Sequence, residues 1–189
     1  MFEMMTEYLA NLFNKSAVVE QDQSNRYDHT INGSYKADDT QIDMSLCING
    51  QAVFGKNVQV QKSILVNGRF KAHQSRFMAG VTVNGASSIS DTEIHGVAKF
   101  RGSLMAQSTN FSNKLEILSS LAEFENCNTQ LITFKEQPSK NQVQRIKLSK
   151  NTEVQGDIIF EAGKGEVICD ETSKIHGQII QGTLIHSNG

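Results

Sequence analysis

One triplet recurs through the first half of the chain at almost constant spacing, and no other feature restricts the possible fold as much. Ile31-Asn32-Gly33, Ile48-Asn49-Gly50, Val66-Asn67-Gly68 and Val83-Asn84-Gly85 are followed by Phe100-Arg101-Gly102, so successive glycines lie 17, 18, 17 and 17 residues apart. A fixed period of this length is the mark of stacked structural repeats. Other columns move with the triplet. Six places after its leading apolar residue stand Ala37, Ala72, Ile89 and Ala106. Eleven places after it stand Ile42, Phe77, Ile94 and Phe111, with Val60 one place later in the 18-residue unit. Fifteen places after it stand Leu46, Val81, Ala98 and Leu115. Ser, Thr, Gln and Asn separate these positions, which is the pattern of very short strands with one face inward and not a helical stripe.

The columns predict an all-β chain, a single-stranded parallel β-helix (solenoid) of about 17 residues per coil over residues 31–189. Each coil turns a corner at Gly or Asn-Gly, residues that tolerate positive φ. Coils stacked about 4.8 Å apart bring like side chains over like, with apolar columns inside and an Asn32–Asn49–Asn67–Asn84 ladder at one corner. Beyond residue 116 the glycine fades, but Ile117 and Phe134 keep the interval of 17. Val154-Gln155-Gly156 and Ile175-His176-Gly177 then extend the series at intervals of 20 and 21. Gln137-Pro138-Ser139-Lys140 and Ala162-Gly163-Lys164-Gly165 are read as loops that absorb the extra residues. Nine corners imply eight to nine coils.

A solenoid exposes backbone and core at its ends, which must be capped or paired with another molecule. Residues 1–15 read as a short amphipathic α-helix, with Phe2, Met5, Leu9 and Leu12 at helical spacing and Phe13 widening the stripe. Three uses fit it: a cap over the rod, a self- or partner-association helix, or a membrane-surface anchor. Glu3 and Glu7 disfavour the last, because anionic lipid attracts basic faces. Residues 16–30 read as a polar linker or an irregular first coil. At the other end Ile175, Ile179, Ile180, Leu184 and Ile185 are densely apolar, the surface that self-association of rods would use.

Chemistry is sparse. Lys and Arg number 18 against 20 Asp and Glu, a balance that argues against a nucleic-acid binder driven by phosphate contacts. Cys47, Cys127 and Cys169 are odd in number and form no CxxC, and so read as buried thiols in a reducing compartment. The histidines make neither HxH nor HExxH, so no metal or cofactor is expected. His95 and His176 read as outward corner residues in the place that Asn fills in other units. The carboxylate pairs Asp38-Asp39, Asp91 with Glu93, and Glu153 with Asp157 fall in no shared column, which paired acid–base work would need. Hexapeptide acyltransferases would show a strict six-residue period, which is missing here.

Val66-Asn67-Gly68-Arg69-Phe70-Lys71-Ala72, Val83-Asn84-Gly85-Ala86-Ser87, Val154-Gln155-Gly156-Asp157-Ile158 and Ile175-His176-Gly177-Gln178-Ile179 resemble the apolar-x-Gly-x-apolar units of bactofilins, bacterial polymer-forming cytoskeletal proteins. The likeness covers about residues 31–185 and implies a right-handed β-helix. It also implies a non-enzymatic scaffold that self-associates into an oligomer or polymer, cytoplasmic and in some members held at the inner face of the membrane by a short N-terminal segment. The acidic N-terminal segment, the enlarged loops and the lapse of the glycine between Gly102 and Gly156 depart from the regular pattern. The alternative function is a β-helix enzyme, or a module that binds carbohydrate or protein through a lateral face.

Overall fold

The computed structural model describes residues 26–136 and 142–187. Every strand pair in it is parallel, and strands of the same rank in successive coils lie side by side, which makes a β-solenoid. Residues Leu46, Ile64, Val81, Ala98, Leu115, Ile132, Ile158 and Ile179 follow His29 in a single register column, each opening a coil. That gives nine coils among the described residues. At the strand spacing of parallel sheets the stack is about 40 Å long. The predicted helix over residues 1–15 falls outside the described residues. The first strand, His29–Ala37, starts two residues before the predicted boundary.

Each coil has three faces. In coils 1 to 3 one long strand runs through the first corner (His29–Ala37, Leu46–Phe54, Ile64–His73) and covers two faces. In later coils the strand breaks at that corner. The third face is a separate eight-stranded sheet of very short strands. Gly33, Gly50 and Gly68 pair in register, and the carbonyl oxygens of Gly68 and Gly85 lie under Gly85 and Gly102, so all five glycines share one edge. Glycine is required there. Gly50 and Gly68 have φ of 144° and 146°, and a Cβ on either would collide with the glycine carbonyl of the coil before.

Beside that edge the Asn ladder forms as predicted. Asn49 Nδ2 donates to Asn32 Oδ1 at 2.9 Å, Asn67 Nδ2 to Asn49 Oδ1 at 2.8 Å, and Asn84 Nδ2 to Asn67 Oδ1 at 2.7 Å. The second corner uses different chemistry. Asp39, Asn57, Gln74, Asp91, Ser108, Asn126 and Asn151 all have φ between 47° and 65°. Short polar side chains bear this left-handed conformation best after glycine. From Gln74 on, the residue that follows turns inward and closes the turn with its side chain, as when Thr92 Oγ1 donates to Ser90 O at 2.7 Å and Thr109 Oγ1 to Gln107 O at 2.8 Å.

The interior is a continuous apolar column that runs from Ala37 to Cys169. On the second face two inward positions alternate in size from coil to coil. One column reads Tyr35, Ala52, Phe70, Ser87, Leu104, Ala122, while its neighbour two residues on reads Ala37, Phe54, Ala72, Ile89, Ala106, Phe124. Whereas the seventh coil puts Ile146 and Leu148 in the two columns, each of these six coils supplies one large and one small side chain, and the large one changes sides at each step. This fills a constant cross-section at the density of a protein interior. Phe54 contacts Phe70 and Phe77 with ring centroids 5.8 and 5.2 Å apart.

Two predicted placements change. Val154 pairs with Thr129 and Ile175 with Val154 on the third face, in the column of Ile94 and Phe111. Gly156 and Gly177 therefore lie at the third corner and do not continue the Asn-Gly edge, which passes instead through Ile117, Phe134 and Phe160. His95 and His176 accordingly share a third-corner column with Gln155 and have no place in the Asn ladder. The longer path from Phe134 to Gln144, and from Phe160 to Gly165, puts Val154 and Ile175 out of the 17-residue count. His95 precedes both, and only its apolar-His-Gly pattern likens it to the Asn-Gly corner.

Candidate functional site

The ninth coil gathers the predicted self-association residues and divides them into two kinds. Ile175, Ile179 and Leu184 continue inward columns, stacked on Val154, Ile158 and Val167, each of which is fully buried one coil earlier. Leu184 is 42 % exposed, because among the described residues nothing lies beyond it. Ile180 and Ile185 sit in outward columns and are exposed at 37 % and 40 %. They stand on Ile159 and Ile168. Farther up the rod the same outward columns carry Thr82, Lys99, Glu116 and Lys147. The apolar surface thus covers the end and also wraps onto the two adjoining faces. Ile159 and Ile168 went unremarked in the sequence reading, although the doublets Ile158-Ile159 and Ile179-Ile180 signal a strand apolar on both sides.

Backbone polarity adds to this. Ser187 N donates back to Cys169 O at 3.0 Å, so the period-two alternation of a parallel strand turns the amides of Leu184 and His186 to the open side. Ile158 N donates forward to Gln178 O at 2.9 Å, and its column partner Ile179 presents its amide the same way. Among the described residues the ninth coil therefore offers a row of donors and acceptors that pair with no further strand, flanked by apolar side chains, an edge that invites strand pairing. Just behind it, Asp170 fixes the second corner by accepting from Lys150 N at 2.8 Å and from Ser173 N at 2.9 Å. Burial works against its carboxylate, yet these amides with the Thr172 and Ser173 side chains outweigh that and hold it down at about 2.

The predicted N-terminal contact residues Phe2, Met5, Leu9, Leu12 and Phe13 lie outside the described residues. No helix among the described residues is long and apolar enough to cross a membrane.

The side chains that chemistry would need are engaged in pairs. Asp38 meets Lys36 at 3.0 Å, Asp39 accepts from Asn57 Nδ2 at 2.9 Å, and Glu93 is gripped by Arg76 at 2.8 Å. Asp157 accepts from Gln178 N at 2.8 Å. His73 Nδ1 lies 2.8 Å from Ser90 Oγ and 3.4 Å from Asp91, all at one ring nitrogen, whereas a proton relay needs the hydroxyl and the carboxylate on opposite nitrogens. Among the described residues no His, Cys, Asp and Glu side chains cluster as a metal centre would require. A shallow groove of about 430 Å³ runs along the second face past Ser88, Met105 and Gln107, and the Glu123–Lys147 pair at 2.8 Å crosses it. The thiols of Cys47, Cys127 and Cys169 are free and buried, and burial pushes Cys127 up to about 11.

Comparisons with protein-family models, with curated proteins and with solved structures found no match to this chain.

Proposed function

We propose that the protein is a non-enzymatic scaffold that self-associates through the ninth coil of its β-solenoid. The observation that carries this reading is the open coil itself, where Leu184, Ile180 and Ile185 are exposed around a backbone edge that no other strand among the described residues pairs. A second copy of the chain is the partner whose strands have the matching rise and three-faced cross-section. On this reading the protein is bactofilin-like, wound right-handed as parallel crossovers are, and acts as an oligomer or polymer. Three free thiols suit work in the cytoplasm.

Sedimentation velocity over a range of concentrations tests the proposal. The wild-type chain should sediment as species larger than a monomer. Ile180→Arg should return it to monomer with an unchanged β-sheet circular dichroism spectrum. A wild-type chain that stays monomeric at the highest concentration contradicts it.

A further inference from the structure

A trench of small side chains crosses the second face at coil 4. Lys71, Ser88 and Met105 are consecutive partners in one outward column, and His73, Ser90 and Gln107 in the next. Phe70 N donates to Ala86 O at 2.9 Å and Ser87 N to Ser103 O at 2.8 Å, which sets Arg69, Ala86 and Ser103 in a third column beside the first corner. Coil 3 therefore presents the long side chains of Arg69, Lys71 and His73, whereas coil 4 presents only Ala86, Ser88 and Ser90. Coil 5 rises again at Gln107 and at Met105, which is 58 % exposed. The small side chains of coil 4 open into the groove of about 430 Å³ that Ser88, Ser90, Met105 and Gln107 help to line, a volume in the range of small-molecule sites.

Charge sets this trench apart from the rest of the rod. Lys36, Arg76, Lys99, Lys114, Lys147 and Lys150 each meet a carboxylate within 3.3 Å. Among the described residues Arg69, Lys71 and Arg101 meet none, and all three stand exposed at or beside the first corner of coils 3 to 5. Lys56, Lys164 and Lys174 also lack a carboxylate, but on other corners and faces. In coils 2 to 5 the outward columns of the second face hold no Asp or Glu. The carboxylates that border the trench are already engaged, Asp91 3.4 Å from His73 and Glu123 2.8 Å from Lys147. The wall of the trench thus carries positive charge with no counter-charge, which draws an anion.

The lining narrows the class of anion. Strands of coils 3, 4 and 5 pair with one another along this face, so an extended peptide finds no free edge to join. The outward columns of coils 2 to 5 hold no Phe, Tyr or Trp on which bases could stack. What remains is side chains. The hydroxyls of Ser88 and Ser90 and the amide of Gln107 both donate and accept, as sugar hydroxyls do, and the fork of Arg69 matches a carboxylate. Met105 offers an apolar surface to the C–H face of a sugar ring. We infer that the trench binds a chain of uronic-acid sugars, with carboxylates on Arg69 and Lys71 and hydroxyls on Ser88, Ser90 and Gln107. This inference uses nothing from the ninth coil and stands whether or not the rods associate there.

Titration calorimetry of the full-length chain with oligogalacturonate tests it. The wild type should bind, and Arg69→Gln/Lys71→Gln should weaken binding by about tenfold or more with the β-sheet signal unchanged. Ser88→Leu keeps every charge but fills the trench, and should weaken binding as strongly. Lys164→Gln, which removes an unpaired cation from the loop before Gly165, should leave affinity unchanged. A neutral oligosaccharide of the same length should bind more weakly by about tenfold or more. No binding of oligogalacturonate by the wild type would overturn the inference. So would binding that survives Ser88→Leu, or that Lys164→Gln weakens as much as Arg69→Gln/Lys71→Gln, since net charge alone would then attract the ligand. Equal or tighter binding of poly-glutamate or oligothymidylate would also overturn it, by assigning the trench to an acidic peptide or to nucleic acid.

Discussion

At the scale of single residues, the Asn ladder ends on an unsatisfied atom. Asn84 Oδ1 is buried and accepts no hydrogen bond, because the next coil places Arg101 where an amide would continue the ladder. Arg101→Asn should supply the missing Nδ2 and stabilise the fold by about 1 kcal/mol, read as a higher urea midpoint at unchanged slope. A second orphan is Thr129 Oγ1, fully buried in the column of Ile94, Phe111 and Val154. Thr129→Val keeps the shape and removes a buried hydroxyl that bonds nothing, so thermal unfolding should move upward by about 1 kcal/mol equivalent. The ladder was legible in the sequence because Asn-Gly repeats as a written motif. The left-handed corner from Asp39 to Asn151 was not, because Asp, Asn, Gln, Ser and, at Lys150, a lysine fill it interchangeably and each is common elsewhere in this polar chain.

At the scale of the coil, packing depends on what lies above and below as much as on neighbours within a turn. Ala72 sits between Phe54 and Ile89 in its column, while Phe70 sits between Ala52 and Ser87. Ala72→Phe should cost about 1–3 kcal/mol through overpacking. The exchange Phe70→Ala/Ala72→Phe should fail to recover that loss in a denaturation series, although it conserves the volume of the coil. A neutral exchange would show that each coil packs independently.

The ties between coils also set the response to acid. The Ser45 amide and the Lys62 ammonium hold Asp28 down at about 2, and Asp170 sits at a similar value. Folded-state values below the ordinary 3.8 of an aspartate mean that both carboxylates stabilise the fold above pH 4. That contribution disappears as pH falls from about 4 toward 2. Melting temperatures measured at pH 5, 3 and 2 should fall steadily, and Asp28→Asn should flatten the dependence.

At the scale of the whole molecule, a constant period made the solenoid legible up to Phe134. Beyond it the count of residues stopped tracking the count of coils, since Gln144 and Gly165 follow Phe134 and Phe160 at a longer interval than in the earlier coils. The apolar character of the C-terminal residues was plain in the sequence. Which of them point inward and which outward was not, because Ile179-Ile180 and Leu184-Ile185 are apolar on both sides of the strand. The unpaired amides of the ninth coil emerged only with the hydrogen-bond ladder. They also give the most direct access to the central claim, since amides that pair with a second copy must exchange more slowly once that copy is bound. Hydrogen–deuterium exchange resolved to Ile179, Leu184 and His186, followed across a concentration series, should show their protection rising with concentration while the amides of the coil interior stay unchanged. Fast exchange at these three positions at every concentration would contradict association through the ninth coil.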